Sequence, residues 1–220
     1  MSKKKDAIHT RFPSPISKKA PLLSKEKKID FIATRFREIL EVLGLDLADP
    51  SLQKTPERIA RMYVNEIFSG LDDANFPHAA LLEEEAVAAG GHHSMIVTQC
   101  SFVSICEHHF VPMIGTAYVG YVPNGRLIGL SKLHRLVRFF AARPQLQERL
   151  TAQIADSLST LVATRDVACT ITAQHSCVLM RGVKDESGRT TTNYFSGTLK
   201  RDPVLQEEFF RTIERLTRER

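Results

Sequence analysis

Two short stretches of the sequence combine cysteine and histidine at spacings that suit a metal ion. Cys106 and His109 are separated by two residues, a spacing found in many zinc-ligand pairs, and His108 lies between them. Farther along the chain, His175 and Cys177 are two residues apart, so on a β-strand their side chains would share one face. Two thiolates and one imidazole would give zinc three protein ligands and one open position, which is typical of a catalytic site.

The other two cysteines lie too far along the chain to complete such a site. An extended strand rises about 3.3 Å per residue, which puts Cys100 roughly 20 Å from Cys106 and Cys169 roughly 27 Å from Cys177. We interpret Cys100 and Cys169 as small core residues. A disulfide between Cys106 and Cys177 is the alternative to a metal, but such bonds are rare in the cytoplasm, where we expect this protein.

A second group of residues could bind an anion. Ser131 precedes an amphipathic stretch and is predicted to cap a helix, while Lys132 and Arg135 follow one turn apart. Free backbone amides at a helix start, together with two cations, suit a phosphate group. Many helices begin this way for structural reasons alone, so this alternative stays open. The standard glycine-rich phosphate loops are absent from the sequence.

The net charge of the chain is concentrated at one end. The 220 residues carry a formal charge of +5, but residues 1–28 contain nine basic and two acidic side chains, so the remainder sums to −2. We therefore predict a disordered basic tail over residues 1–28 and one domain over residues 29–220. An arm that binds nucleic acid or another partner is the alternative for the tail. We expect no nucleic-acid partner for the body and, without a long apolar stretch or a signal peptide, no membrane partner.

Hydrophobic periodicity predicts an α+β fold with antiparallel sheet. The domain divides into helices and a loop (29–93), a core (94–200) and a C-terminal helix (201–220). Three predicted helices begin at capping residues, Ser24, Thr55 and Ser131, and two more begin near residue 145 and at Asp202-Pro203. The predicted strands cover residues 95–105, 114–122, 167–180 and 190–199.

The sequence resembles GTP cyclohydrolase I through motifs that cover most of residues 30–200 in order. The motifs are LDLADPSLQKTPERIARMYVNEIFSGLDDANFP (45–77), CEHHFVP (106–112), IGLSKLHRLVRFFAARPQLQERLT (128–151) and HSCVLMRG (175–182). The resemblance implies a tunnelling fold, in which antiparallel hairpins alternate with helices behind an N-terminal helical extension. It also implies subunits that close into a β-barrel ring, a homodecamer, and active sites at the subunit interfaces.

The resemblance further implies the reaction and the residues that perform it. The expected activity is hydrolytic opening of the imidazole ring of GTP, release of C8 as formate and reclosure to 7,8-dihydroneopterin triphosphate, the first step of tetrahydrofolate and pterin biosynthesis. Cys106, His109 and Cys177 correspond to zinc ligands, and His108 and His175 to proton-handling residues. The substrate-binding positions are Glu148 with Gln147 for guanine, and Ser131, Lys132, Arg135, Arg181 and a neighbouring subunit's Arg58 for the triphosphate.

The residue types suit this chemistry. Zinc lowers the pKa of bound water to ~7, histidine with its pKa of ~6.5 can protonate N7, and the carboxylate of Glu148 can accept hydrogen bonds from guanine. Two alternatives remain: a nitrile reductase of queuosine synthesis, which needs a nucleophilic rather than a zinc-bound cysteine, and a zinc-stabilised nucleic-acid-binding module. Turnover of GTP would distinguish the cyclohydrolase from both alternatives.

Overall fold

The computed structural model describes residues 10–17, 19, 21–78, 81–83 and 95–218. The first nine residues of the predicted tail lie outside the described residues, and so do residues 84–93 at the end of the predicted region of helices and loop (29–93). The helices are α1 (Lys25–Val42), α2 (Thr55–Met62) with a π-helical continuation (Tyr63–Ile67), α3 (Leu130–Ala141), α4 (Gln147–Val162), α5 (Ser176–Leu179) and α6 (Pro203–Arg218). The strands are β1 (Leu81–Glu83), β2 (Ile96–Cys106), β3 (Pro112–Tyr121), β4 (Arg126–Ile128), β5 (Pro144–Gln145), β6 (Val167–His175) and β7 (Thr190–Phe195).

A five-stranded sheet in the order β5-β2-β3-β6-β7 forms the centre of the fold. Its pairs are antiparallel, as predicted, apart from the short parallel pair of β2 with β5. Because Ile105 pairs with Pro112 and Met113 pairs with His175, the end of β2, the start of β3 and the end of β6 meet at one edge of the sheet. This edge carries the cysteine and histidine residues singled out above.

Helices α3 and α4 cover one face of the sheet. Leu136, Leu150, Ile154 and Leu158 are fully buried there, and burial of each such side chain contributes about 1.5–3 kcal/mol. Helix α6 covers part of the opposite face, where Phe209 fits against the backbone of β3. Cys100 and Cys169 are buried within the sheet, which confirms their prediction as core residues. In the described part of the chain, no helix is long and apolar enough to cross a membrane.

Several predicted element boundaries need correction. Ser24 caps α1 as predicted, accepting from the backbone of Lys27 at 3.3 Å. Thr55 does not cap α2, because the backbone turn already closes at Lys54 and Thr55 is the first helical residue. The strand predicted over residues 167–180 ends at His175 and continues as α5. Its neighbours explain this end, since β3 begins at Pro112 and β7 pairs only as far as Ala173.

Part of the segment predicted as a solvated tail contacts the folded body. Helix α1 begins at Lys25, and the earlier residues Arg11 and Phe12 contact α4 through Asp156 and Gln153. The guanidinium and backbone amide of Arg11 donate to Asp156, at 2.8 and 3.1 Å, and Tyr194 also donates to this carboxylate. Burial alone would raise the pKa of Asp156, but hydrogen bonds from Arg11 and Tyr194 outweigh it and hold this pKa below its usual range.

Replacing Arg11 by methionine should therefore destabilise the fold. We expect the free energy of unfolding at pH 7 to fall by about 1 kcal/mol, because the lost partner is charged but 68% exposed. The depressed pKa of Asp156 means that its stabilising effect exists above about pH 4 and is lost as the pH falls further. Urea unfolding at pH 7 and pH 3 should show the difference from the unmodified chain shrinking at pH 3.

The variant Lys19→Ala is the matched control, since it removes another basic residue of the same segment whose side chain is exposed. It should unfold like the unmodified chain at both pH values. Equal stability of Arg11→Met and Lys19→Ala at pH 7 would show that the contact with Asp156 does not stabilise the fold.

Candidate metal centre and substrate site

Cys106, His109 and Cys177 come together at the sheet edge where β2, β3 and β6 meet. One potential ligand atom from each lies within 4.8 Å of the others, and Cys106 Sγ lies 4.0 Å from His109 Nδ1. Zinc bonds of about 2.3 Å to sulfur and about 2.0 Å to nitrogen would put such a pair roughly 3.6 Å apart in tetrahedral geometry. Cys106 and His109 therefore need to approach each other by only a few tenths of an ångström to share one ion, and the sulfur of Cys177 lies within 4.8 Å of both.

The loop between β2 and β3 (residues 107–111, the metal loop) follows Cys106 and carries His109. The backbone amide of Cys106 donates to Val111 at 2.9 Å, and that of Phe110 donates to Cys106 at 2.9 Å. Phe110 has a φ of 54°, in the left-handed region, which turns the chain back into β3. The loop is thus a closed turn that holds His109 beside the end of β2.

Cys177 reaches the group differently from the way its spacing suggested. His175 is the last residue of β6, whereas Cys177 lies in α5, so the two do not share a strand face. Burial and the nearby thiol of Cys106 both raise the pKa of Cys177. Two adjacent thiols resist joint ionisation unless a cation sits between them, and zinc is the common ion that takes two thiolates and an imidazole. The residues present therefore fit a zinc ion.

His175 is held by a buried glutamine. Its Nε2 lies 2.7 Å from Gln147 Oε1, while the amide nitrogen of Gln147 donates to the backbone carbonyls of Ile171 and Thr190 at 3.0 and 2.9 Å. Because the amide nitrogen is used in this way, Oε1 must accept and His175 Nε2 must donate. Neutral His175 therefore carries its proton on Nε2 and keeps the lone pair on Nδ1.

The environment of His175 also sets its protonation. Burial lowers the pKa of His175, and the negative charge of Glu148 opposes this effect only in part. The imidazole is therefore mainly neutral at pH 7. An imidazole in this state accepts a proton at Nδ1 and gives it up again readily, which suits proton transfer during a reaction.

The two residues predicted to contact guanine occupy different environments. Glu148 is exposed at the start of α4, where its carboxylate is accessible to a ligand. Gln147 is only 2% exposed, and both ends of its amide are engaged with His175 and the backbone. The carbonyls of β6 and β7 draw the amide of Gln147 inward, where it orients His175. Its contact with guanine stays a prediction.

The predicted triphosphate residues are distributed over three places. Lys132 and Arg135 line a cavity of about 880 Å³ between α3, β2 and the segment before β1. Ser131 is exposed and is the second residue of α3, whose cap is Gly129 without a side-chain hydrogen bond, so the predicted serine cap does not form. Arg58 is exposed on α2, and Arg181 lies beside the metal group, 3.1 Å from His109 Nε2.

The cavity and the metal group are not the same site within one chain. None of the described residues that line the cavity belongs to the Cys106, His109 and Cys177 group. His108 is exposed on the metal loop, with its ring centre 6.3 Å from that of His109. The single chain therefore brings together the metal ligands, both candidate proton-handling histidines and Arg181, but leaves Lys132 and Arg135 in a separate cavity.

Sequence reasoning missed the residues that support the site from α4 and β5. Gln145 is almost completely buried, and Arg149 pairs with Glu107 of the metal loop. One signal was available in the sequence: several amide and hydroxyl side chains interrupt the apolar stripe of helix α4. Such residues are rarely buried unless they have specific partners.

Comparisons with known proteins identify the family of this chain. Residues 32–214 match the family described as GTP cyclohydrolase I. The chain is 49% identical to GTP cyclohydrolase 1 of Aeromonas hydrophila, over 89% of this chain and 88% of the relative. It is 50% identical to that of Photobacterium profundum, over 87% of each chain, and 48% identical to that of Vibrio cholerae, over 93% of each. The chain belongs to the GTP cyclohydrolase I family and is an enzyme of this type.

Proposed function

We propose that this enzyme uses zinc to open the imidazole ring of GTP, releases C8 as formate and recloses the product to 7,8-dihydroneopterin triphosphate. This is the first step of tetrahydrofolate and pterin biosynthesis, and we place it in the cytoplasm. The observation that carries the proposal is the convergence of two thiols and one imidazole beside a histidine whose tautomer is defined. The choice of GTP as the substrate rests on membership of the GTP cyclohydrolase I family.

In this proposal Cys106, His109 and Cys177 hold the ion. Zinc held by three protein ligands lowers the pKa of a water molecule in its open position from near 16 to ~7, which is the chemistry that hydrolysis of an unreactive ring carbon needs. The protein supplies the negative charge of two thiolates and the closed turn that keeps His109 in place. Cys106 is buried at the end of β2, so its sulfur would be shielded from bulk water while it holds an ion.

His175 and His108 are the proposed proton-handling residues. Nδ1 of His175 can take a proton and return it to a purine nitrogen such as N7, which makes C8 more electrophilic. Gln147 keeps Nε2 protonated, so the same ring nitrogen remains available in every cycle. His108 lies on the metal loop, is exposed and can serve the second proton transfer.

The remaining predicted residues would bind the two ends of the substrate. The exposed carboxylate of Glu148 suits the N1 and N2 donors of guanine, and rejects adenine because adenine would leave this acceptor unpaired. Ser131, Lys132, Arg135, Arg181 and a neighbour's Arg58 would bind the triphosphate. These cations stand out in a body whose net charge beyond residue 28 is −2.

The distribution of these cations supports an active site that is shared between subunits. Lys132 and Arg135 line a cavity apart from the metal group, whereas Arg181 lies beside it. In a ring of identical chains, the cavity of one subunit can face the metal group of the next. We therefore propose a homodecamer whose sheets close into a β-barrel ring, with active sites at subunit interfaces.

Turnover of GTP by metal-ligand variants tests the proposal directly. Protein purified without chelator should contain about one zinc per chain and release formate from GTP, with a pterin that becomes fluorescent on oxidation. Cys106→Ser and Cys177→Ser should lose both the metal and formate release, whereas the core variant Cys100→Ala should keep both. Formate release at the full rate by metal-free protein would contradict the proposal.

Replacement of His175 separates proton transfer from metal binding. His175→Ala should retain zinc but release formate at least ~100-fold more slowly, which is the usual scale for general acid–base catalysis. The control is His134→Ala, which removes a histidine of α3 that lies 3.3 Å from Thr98 Oγ1. If His175→Ala loses its zinc, His175 is a ligand and the division of roles proposed here is wrong.

A further inference from the structure

We propose that Arg149 is a positioning residue that fixes the metal loop (residues 107–111) through its ion pair with Glu107. The inference rests on the proposed metal centre and assigns a role to two residues that stand outside the ligand and substrate sets. Glu107 directly follows the ligand Cys106 and lies two residues before the ligand His109. A contact that holds Glu107 in place therefore also orients the loop that carries His109.

The contact between the two side chains is bidentate. Arg149 Nη1 donates to Glu107 Oε2, and Arg149 Nη2 donates to Glu107 Oε1 at 3.3 Å. The side chains are 19% and 18% exposed, so water screens the pair less than it screens a surface ion pair. Two parallel hydrogen bonds between planar groups restrain both distance and angle, which a single contact from lysine cannot do.

The backbone of Glu107 is held by the same region of the chain. Its amide donates to the carbonyl of Gln145 at 3.0 Å, which extends the short parallel pairing of β2 with β5. The side chain of Gln145 is fixed in turn, because its amide nitrogen donates to Gln153 Oε1 at 2.7 Å and to the carbonyl of Phe140 at 2.8 Å. Glu107 is therefore anchored at both its main chain and its side chain by residues 145–149.

This double anchor matters because the metal ligands come from separate parts of the chain. Cys106 is fixed by the sheet, but His109 lies in a turn and Cys177 arrives from α5. A loop that is already oriented toward Cys177 needs little ordering when the ion binds, whereas a free loop must lose conformational entropy at that moment. Residues that orient metal ligands from outside the ligand set typically change metal affinity by about 10–100-fold when replaced.

The same geometry argues against a role for Arg149 in binding the triphosphate. Both terminal nitrogens of its guanidinium face Glu107, and the carboxylate neutralises its charge. Arg181, by contrast, is exposed beside the metal group. Arg149 should consequently affect zinc binding and leave the affinity for GTP unchanged.

Zinc competition against a chromophoric chelator tests this role in the full-length chain. Arg149→Met should raise the dissociation constant for zinc roughly 10–100-fold, Glu107→Gln should do the same, and Arg149→Lys should fall between them and the unmodified chain. The double variant should bind zinc no more weakly than the worse single variant, because both changes remove one interaction. With zinc at saturation, the KM for GTP should equal that of the unmodified chain.

Arg211→Met is the matched control, since it removes the exposed ion pair of Arg211 with Glu207 on α6. It should bind zinc normally. If Arg149→Met fails to fold, the nearly isosteric Glu107→Gln carries the same test. Unchanged zinc affinity, or a raised KM with unchanged zinc affinity, would overturn the role of Arg149. Failure of the unmodified chain to bind zinc would instead overturn the proposed metal centre.

Discussion

Bringing the thiols of Cys106 and Cys177 close together is the constraint on which the rest of the site depends. Their ligand atoms and that of His109 lie within 4.8 Å of one another, and burial raises the pKa of the Cys177 thiol further. A divalent cation offsets the repulsion between the two thiolates, because it stabilises both of them at once. Two neighbouring thiolates would repel each other without a cation, and this repulsion favours the binding of a divalent ion between them.

The segment of residues 145–149 supports this arrangement with successive odd-numbered residues. The backbone carbonyl of Gln145 accepts from the amide of Glu107, the side chain of Gln147 orients His175, and the side chain of Arg149 pairs with Glu107. The chain changes from strand β5 to helix α4 within these residues. One short piece of backbone thus sets the relative placement of the metal loop and the proposed proton carrier, while Glu148 between them faces outward.

The sequence predicted the parts of this site that depend on local spacing, and missed those that depend on distant partners. The pair Cys106 and His109 is local, and so is the helical periodicity of α1 and α4. The end of β6 at His175 depends instead on its register with Met113, so the apolar residues that follow were wrongly predicted as strand. Likewise, the carbonyls that hold Gln147 and the carboxylate that holds Arg149 lie 24–43 residues away along the chain.

X-ray absorption at the zinc edge tests the central claim most directly, because it counts the ligands of the bound ion. The account predicts two sulfur atoms at about 2.3 Å, one imidazole nitrogen at about 2.0 Å, and one oxygen that belongs to neither histidine nor cysteine. Outer-shell scattering from the imidazole ring should correspond to a single histidine. A spectrum with one sulfur, or with two imidazole rings, would contradict the account, since the ion would then be held by a different set of residues.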